Sequence, residues 1–157
     1  MHRAFPPLMS GQPDILILGT FPSPLSREKG EYYGNPQNKF WNIIFDVFKT
    51  DFNHPDYDQK KQLLFDNHIA LWDVIEKCEI IGAADSAIRN PIFNRALPAF
   101  IEQNSISTVI FNGQKAYEFY RKEIGDINGI ILPSTSPANA RMNYGEKLSL
   151  WAKALRS

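Results

Sequence analysis

Residues 15–23, Ile15-Leu16-Ile17-Leu18-Gly19-Thr20-Phe21-Pro22-Ser23, join an unbroken apolar run to a turn rich in Gly, Pro and Ser. Three further apolar runs follow along the chain: IALW at 69–72, VIF at 109–111 and IIL at 130–132. None of the four alternates apolar with polar residues. Such runs are typical of strands buried on both faces of a parallel sheet. The sequence therefore predicts four buried strands.

Helix-like segments lie between and after these strands. Residues 40–48 are mostly apolar, residues 116, 119, 120 and 124 share one helical face, and residues 148, 151, 152 and 155 form an apolar stripe. This alternation predicts an α/β fold, a three-layer α/β/α sandwich. We expect a single domain over residues 1–157, with a polar linker at 52–58 and a turn into the third strand at 103–108.

The composition narrows the functional classes. Lys plus Arg and Asp plus Glu each number 17, so the formal net charge is zero. Zero charge excludes a polycationic nucleic-acid coat protein, but it allows basic residues to gather on one face. Hydrophobic residues make up 43% of the chain, which argues against a disordered protein.

Cysteine and histidine give no sign of a metal or redox site. The single Cys78 excludes an internal disulfide and fits a reducing cytoplasm, and we expect it to be structural. His2, His54 and His68 show no metal-ligand spacing. We expect no cofactor and no metal. The chain also shows no signal peptide and no apolar run near the roughly 20 residues of a membrane span, so we expect a cytoplasmic protein.

Polar residues follow each predicted strand. The first strand runs into Gly19, the second ends in Asp73, the third ends in Asn112-Gly113, and the fourth runs into PSTSP at 133–137. The carboxyl ends of parallel strands share one edge of a sheet, where such folds bind ligands. We expect a site at this edge.

Two loops and one segment offer the chemistry of a nucleotide site. The first loop presents backbone N–H groups but has no Walker or GxGxxG pattern, and LPSTSPANA at 132–140 brings hydroxyls that can meet phosphate oxygens. Both loops are equally compatible with ordinary turns. Between them, Tyr32 and Tyr33 offer an aromatic face or partial core burial, and Asn38 fits the N-cap of the following helix.

These motifs, taken in order, resemble the uracil-DNA glycosylase superfamily. They are GTFPS at 19–23, YYGNPQNKFW at 32–41, ALWDVI at 70–75 and LPSTSPANA at 132–140. The likeness is greatest to the hypoxanthine-DNA (deoxyinosine) glycosylase branch, which the spacing of Cys78, Gly82, Asp85, Ser86 and Ile88 also resembles. The resemblance covers about residues 15–145 and implies a central four-stranded parallel sheet between helices.

The resemblance also implies roles for individual residues. Asn38 falls on the catalytic Asn of the hypoxanthine branch, which orients the attacking water, and Tyr33 matches the aromatic that stacks on the extruded base. Asp73 stands where uracil-specific relatives read the base with Asn. An Asp donates no hydrogen bond unless protonated, which disfavours strict uracil recognition.

The remaining implied positions surround these residues. Phe21 replaces the water-positioning Asn of mismatch-type uracil enzymes, so that catalytic route is missing. The first loop adds base contacts through Gly19, Thr20 and Phe21. The implied DNA contacts are Pro22, Ser23, Lys39, Ser134, Ser136, Pro137, Asn139 and Arg141.

The implied function is a monofunctional DNA glycosylase that flips out a deaminated base, hypoxanthine first, and hydrolyses its N-glycosidic bond. A mismatch-type uracil-DNA glycosylase and a non-catalytic nucleotide-binding or damaged-DNA-binding module stay open as alternatives. The expected partner is DNA with deaminated bases, bound by a monomer without a membrane. We expect Arg27, Lys29, Lys39 and Arg141 on the face of the pocket, and Asp51, Asp56, Asp58 and Glu118 elsewhere.

Overall fold

A computed structural model describes residues 1–50, 53–81, 88–139 and 141–156. Among these residues the strands are β1 (His2–Arg3), β2 (Ile15–Gly19), β3 (Ile69–Asp73), β4 (Ile75–Ile80), β5 (Ile88–Phe93), β6 (Thr108–Asn112) and β7 (Ile130–Leu132). The helices are α1 (Pro24–Lys29), α2 (Phe40–Val47), α3 (Tyr57–Asp66), α4 (Leu97–Gln103), α5 (Gln114–Glu123) and α6 (Tyr144–Arg156).

The four predicted strands form one parallel sheet in the order β3-β2-β6-β7. The three central residues of β2, Leu16, Ile17 and Leu18, are fully buried, as their unbroken apolar run predicts. The prediction of burial on both faces is wrong for β7, because this strand lies at the sheet edge and Ile130 and Ile131 are each 39% exposed.

Helices cover both faces of this sheet, which confirms the α/β/α layers. On one face, Ile17 and Ile110 pack with apolar residues of α2, α3 and α6, including the fully buried Trp151. On the other face, Leu16 and Phe111 pack with residues of α4 and α5. Strands β2, β3 and β6 therefore send alternate residues into two separate cores, whereas β7 contributes Leu132 to the first of them.

A second, antiparallel sheet was not predicted. It has the order β1-β4-β5, and only Val74 separates its β4 from β3 of the central sheet. Two irregularities in the β4–β5 register, between Ile75 and Lys77 and between Lys77 and Glu79, bend this hairpin. Cys78 is fully buried in β4, and burial raises the pKa of its thiol, in agreement with a structural role.

The predicted polar linker is partly helical. Its last residues, Tyr57 and Asp58, belong to α3, which a capping box between Asp56 and Gln59 begins. This box satisfies backbone N–H groups at the helix start, and its polar residues also resemble a linker in sequence. No helix among the described residues combines the length and apolar character needed to cross a membrane.

Candidate active site

One cleft of about 470 Å³ lies at the carboxyl edge of the central sheet, where the sequence predicts a site. The first loop, Asp73, the start of α5 and the fourth loop line it together with α1 and the segment before α2. The β4–β5 hairpin also contributes, through Ile80 and Ile88. The cleft therefore combines elements of both sheets.

Asp73 is the buried acidic group of this cleft. Its side chain is 5% exposed, and its Oδ2 has no hydrogen-bond partner. Removal from water raises the pKa of Asp73 from 3.8 to about 7. Gly19 makes room for it, since a Cβ on this glycine would lie 2.8 Å from Asp73 Oδ1.

Tyr33 lies next to Asp73, and both side chains approach the position that a Cβ on Gly19 would occupy. Its hydroxyl would lie 3.1 Å from a Cβ on Gly19, and its ring stacks on Phe40 with centroids 4.0 Å apart. Burial and the charge of Asp73 raise the pKa of Tyr33, so it is neutral near pH 7. Its φ of 53° lies in the left-handed region, which a tyrosine adopts only where its surroundings hold it.

The other tyrosine of the pair belongs to the core. Tyr32 is 5% exposed, its hydroxyl donates to the Pro6 carbonyl, and its backbone N–H donates to the Tyr57 hydroxyl. Of the two functions that the sequence left open for this pair, Tyr32 therefore has the structural one. Tyr33 alone of the two combines a core contact on Phe40 with contacts to the polar groups of the cleft.

Asn38 lines the cleft just before α2. Its Oδ1 accepts a hydrogen bond from the Phe40 N–H at 2.9 Å, and because only the oxygen can accept, this contact determines the orientation of the amide. The prediction that Asn38 is the N-cap of α2 is wrong by one position, since Lys39 occupies the cap and has no side-chain cap bond. The neighbouring backbone contact still holds the Asn38 side chain.

Asn112 joins Tyr33 to the fourth loop. Its Nδ2 donates to the Tyr33 hydroxyl at 3.2 Å and to Thr135 Oγ1 at 3.0 Å, and its Oδ1 accepts from the Thr135 N–H at 3.0 Å. The Thr135 carbonyl in turn accepts from the Lys39 N–H at 3.0 Å. One amide therefore connects the fourth loop, Tyr33 and the residue after Asn38.

Most predicted site residues lie together at this cleft. Its lining includes Thr20, Phe21, Pro22, Ser23, Tyr33, Asn38, Asp73, Ser134, Ser136 and Asn139. Gly19 lies directly below it, against Asp73 and Tyr33. Lys39, Pro137 and Arg141 are exposed and lie outside the lining.

Of the four basic residues expected at the cleft, only Arg27 lines it, whereas the described acidic residues lie outside it as expected. Arg27 lines the cleft, whereas Lys29 binds the Gly34 carbonyl and lines a second, smaller cavity. Asp56, Asp58 and Glu118 lie outside the cleft lining, and they cap α3, pair with Lys61 and bind Gln114 respectively. Asp51 lies outside the described residues, as do Gly82, Asp85 and Ser86 of the hypoxanthine-type segment.

Comparison with known proteins identifies the family. The model of the family described as the uracil DNA glycosylase superfamily matches residues 6–156. The chain belongs to the uracil DNA glycosylase superfamily.

Full-length relatives share a third of the residues. The chain is 33% identical to a hypoxanthine DNA glycosylase of Methanosarcina barkeri, over 98% of both chains, and 33% identical to one of Methanosarcina acetivorans, over 99% of both. It is also similar to the solution NMR structure of a proposed uracil DNA glycosylase from Methanosarcina acetivorans. That match has a TM-score of 0.78 and 32% identity, and covers 98% of this chain and 96% of that one.

The cleft also contains polar side chains whose role the sequence alone does not indicate. Asn112 was noted only as the end of a strand, and Thr135 only as part of a loop. Lys115 also lines the cleft, on the first turn of α5. The sequence points to Asn112 only through its position at the carboxyl end of β6. Its hydrogen-bond partners, Tyr33 and Thr135, are distant in the chain and leave no local pattern.

The described residues contain no cluster of three or more His, Cys, Asp or Glu side chains arranged to hold a metal ion.

Proposed function

We propose that this superfamily member is a monofunctional DNA glycosylase that extrudes a deaminated base, hypoxanthine first, and hydrolyses its N-glycosidic bond. The observation that carries the proposal is the presence of Asn38, Tyr33 and Asp73 on one cleft at the carboxyl edge. The cleft volume lies within the range of small-ligand sites, and two full-length relatives are named hypoxanthine DNA glycosylases.

The reaction begins with extrusion of the nucleotide, because the glycosidic bond is inaccessible inside a duplex. Extrusion costs a few kcal/mol and costs least at a mispair, which contributes to selectivity. Tyr33 then contacts the base, and Asp73 meets its polar edge. Residues Ser134, Ser136 and Asn139 of the fourth loop hold the DNA strand from which the nucleotide was removed.

Asn38 positions the attacking water. Its Oδ1 holds one hydrogen bond from the Phe40 N–H, and a carbonyl oxygen has a second lone pair for a water directed at C1′ of the sugar. An amide is too weak a base to remove a proton early, so its contribution is orientation. The bond breaks as the sugar gains oxocarbenium character, and the first-loop N–H groups stabilise the departing base.

No covalent enzyme intermediate is needed for this route. Lys39, the lysine beside Asn38, does not line the cleft, and the Nζ of Lys115 is held 5.6 Å from the centre of the Phe119 ring. We therefore expect that borohydride reduction during turnover traps no enzyme–DNA adduct, as judged by denaturing gel electrophoresis. A trapped adduct that Lys115→Gln abolishes would contradict monofunctional hydrolysis.

The substrate is tested with labelled oligonucleotides that each carry hypoxanthine, uracil or xanthine, followed by alkali to cleave abasic sites. We expect cleavage at hypoxanthine first. Greater cleavage at uracil would support the mismatch-type alternative, and no cleavage at any lesion by folded protein would support a binding module.

The cellular setting is part of the same proposal. We propose that a monomer acts on DNA. A single, buried cysteine fits the reducing cytoplasm as its location. Gel filtration with light scattering checks the oligomeric state, and a dimer would contradict it.

A further inference from the structure

Two unpaired polar atoms lie at the same cleft. Among the buried side-chain nitrogen and oxygen atoms of the described residues, only Nε of Arg27 and Oδ2 of Asp73 lack a hydrogen-bond partner. Both residues line the cleft. Buried polar atoms of native proteins are almost always paired, so an unpaired donor and an unpaired acceptor at one site indicate groups that a ligand completes.

Arg27 is held in place without an acidic partner. Its Nη1 lies 2.9 Å from Nδ1 of His2, and its Cζ lies 5.8 Å from the centre of the Phe21 ring. The one ion pair among the described residues joins Lys61 to Asp58, so Arg27 and Asp73 line the same cleft without pairing with each other. A guanidinium has five N–H donors, and most of those on Arg27 remain available to a ligand.

The edge of hypoxanthine complements this donor and acceptor. Hypoxanthine shares O6 and N7 with guanine as acceptors, and its N1–H is a donor. Arginine contacting O6 and N7 together is the commonest base-specific contact in DNA recognition. Adenine reverses two of the three positions, because its N6 amino group donates and its N1 accepts.

We infer that Arg27 is a second base-reading residue, whose guanidinium donates to O6 and N7 of the extruded hypoxanthine while Asp73 accepts from N1–H. This inference rests on the proposed function. Adenine would direct its N6 amino group at the guanidinium and its N1 lone pair at the carboxylate, so both contacts exclude the normal base. Guanine shares the edge with hypoxanthine, and its exclusion rests on the stable pair that must open to extrude it.

Arg27 also has a role in bond cleavage under this arrangement. When the N-glycosidic bond breaks, its electron pair leaves with the purine, and the negative charge spreads to N7 and O6. A fixed guanidinium at those atoms stabilises that charge as it develops. Phe21 has a role under this arrangement as well, because its ring lies against the Arg27 guanidinium. In mismatch-type relatives this position holds the Asn that positions the attacking water.

The contact to N7 can be tested by removing that atom. Duplexes carry 2′-fluoroarabino nucleotides, which resist hydrolysis, with either hypoxanthine or 7-deazahypoxanthine, and dissociation constants are measured by fluorescence anisotropy. We expect the wild-type protein to bind the 7-deaza duplex about 10-fold more weakly. Arg27→Met, whose side chain has no N–H donor, should bind both duplexes with the same reduced affinity, because the partner of N7 is already absent.

Controls separate the possible failures. Lys122→Gln removes an equal charge from the exposed end of α5 and should keep the wild-type preference. Arg27→Lys should recover only part of it, since an ammonium cannot make the paired contact. Equal wild-type binding of both duplexes overturns the inference without any variant, and so does an Arg27→Met protein that still prefers the duplex with N7.

The proposed function is scored separately, by release of hypoxanthine from an ordinary duplex. Release without N7 preference leaves the glycosylase proposal intact and removes only the role of Arg27. No release by folded wild-type protein overturns both.

Discussion

In the proposed mechanism, Asn38 is the residue on which hydrolysis depends most. Removing its amide leaves the water without an acceptor near C1′, while the surfaces that hold DNA are unchanged. We expect Asn38→Ala to lower the single-turnover rate of base release by about 100-fold or more, with an unchanged dissociation constant for lesion DNA. Rapid-quench assays and anisotropy titrations measure the two quantities.

The matched control for this prediction is Asn42→Ala. Asn42 is exposed on α2, one helical turn from Asn38, and lies outside the cleft lining. It should release base at the wild-type rate. If Asn38→Ala were equally active, water positioning by this residue would be excluded.

Asp73 connects the chemistry of the site to stability. Its pKa is raised from 3.8 to about 7 by burial, so between these values the folded state holds a proton that the unfolded state has lost. The free energy of unfolding therefore falls as the pH rises from about 4 to about 7, by up to about 4 kcal/mol. The neighbouring hydroxyls of Tyr32 and Tyr33 remain neutral in this range, because their pKa values are raised.

Replacing the Asp73 carboxyl with an amide should stabilise the fold and lower the rate of base release. We expect Asp73→Asn to be more stable than wild type by about 2–4 kcal/mol at pH 8 and nearly equal to it at pH 4, by urea unfolding. Base release should fall, because an amide presents an N–H donor where a carboxylate only accepts. Asp58→Asn, on an exposed ion pair, should show no such pH dependence, and a parallel shift in both variants would rule out a special role for Asp73.

At the scale of the elements, the end of β2 packs tightly against residues of the cleft. An alanine Cβ at position 19 would lie 2.8 Å from Asp73 Oδ1 and 3.1 Å from the Tyr33 hydroxyl, so both side chains must move. We expect Gly19→Ala to lose about 1–3 kcal/mol of stability and most of its base release. Gly125→Ala, where no atom lies within 4 Å of the added Cβ, should be neutral in urea unfolding and in activity assays.

The central sheet could be predicted from the sequence because its strands carry unbroken apolar runs. The antiparallel sheet could not, since β1 has two residues and β5 contains Pro91 and only two polar or charged residues, adjacent to each other, so it shows no regular alternation. The sequence does not predict α3 for a related reason, since Leu64 is the one buried residue of this polar helix. Elements held mainly by tertiary contacts leave little periodic signal.

The site could be predicted to the level of its loops but not of its hydrogen bonds. Strand ends located Asp73 and the fourth loop, and family motifs located Asn38 and Tyr33. The three hydrogen bonds of Asn112 could not be foreseen, because they join residues 33, 112 and 135 across separate loops. Local spacing carries no information on such contacts.

At the scale of the whole molecule, the zero net charge predicts that DNA binding involves few phosphate contacts and gains little affinity from them. Two cations, Arg27 and Lys115, line the cleft, and Lys39 and Arg141 are exposed near residues that do. Since Arg27 is assigned to the base, phosphate contacts limited to Lys39, Lys115 and Arg141 should make the logarithm of the binding constant fall against the logarithm of salt concentration with a slope of about −3.

Single charge removals check this slope. Lys39→Gln should make it shallower by about 1, and Lys153→Gln, on the exposed end of α6, should leave it unchanged. A wild-type slope near zero would show that apolar and base contacts alone hold the DNA.

The bond from the Lys39 N–H to the Thr135 carbonyl has a consequence for engineering. Because Asn112 also makes two hydrogen bonds to Thr135, the segment around Asn38 and the fourth loop form two halves of one hydrogen-bonded unit. A chimera that imports the fourth loop alone keeps the two hydrogen bonds to the backbone of residue 135, but it loses the bond from Asn112 Nδ2 to Thr135 Oγ1 if the imported loop has no hydroxyl there. Exchange of new lesion preferences between relatives should therefore succeed when both halves and position 112 are transplanted together.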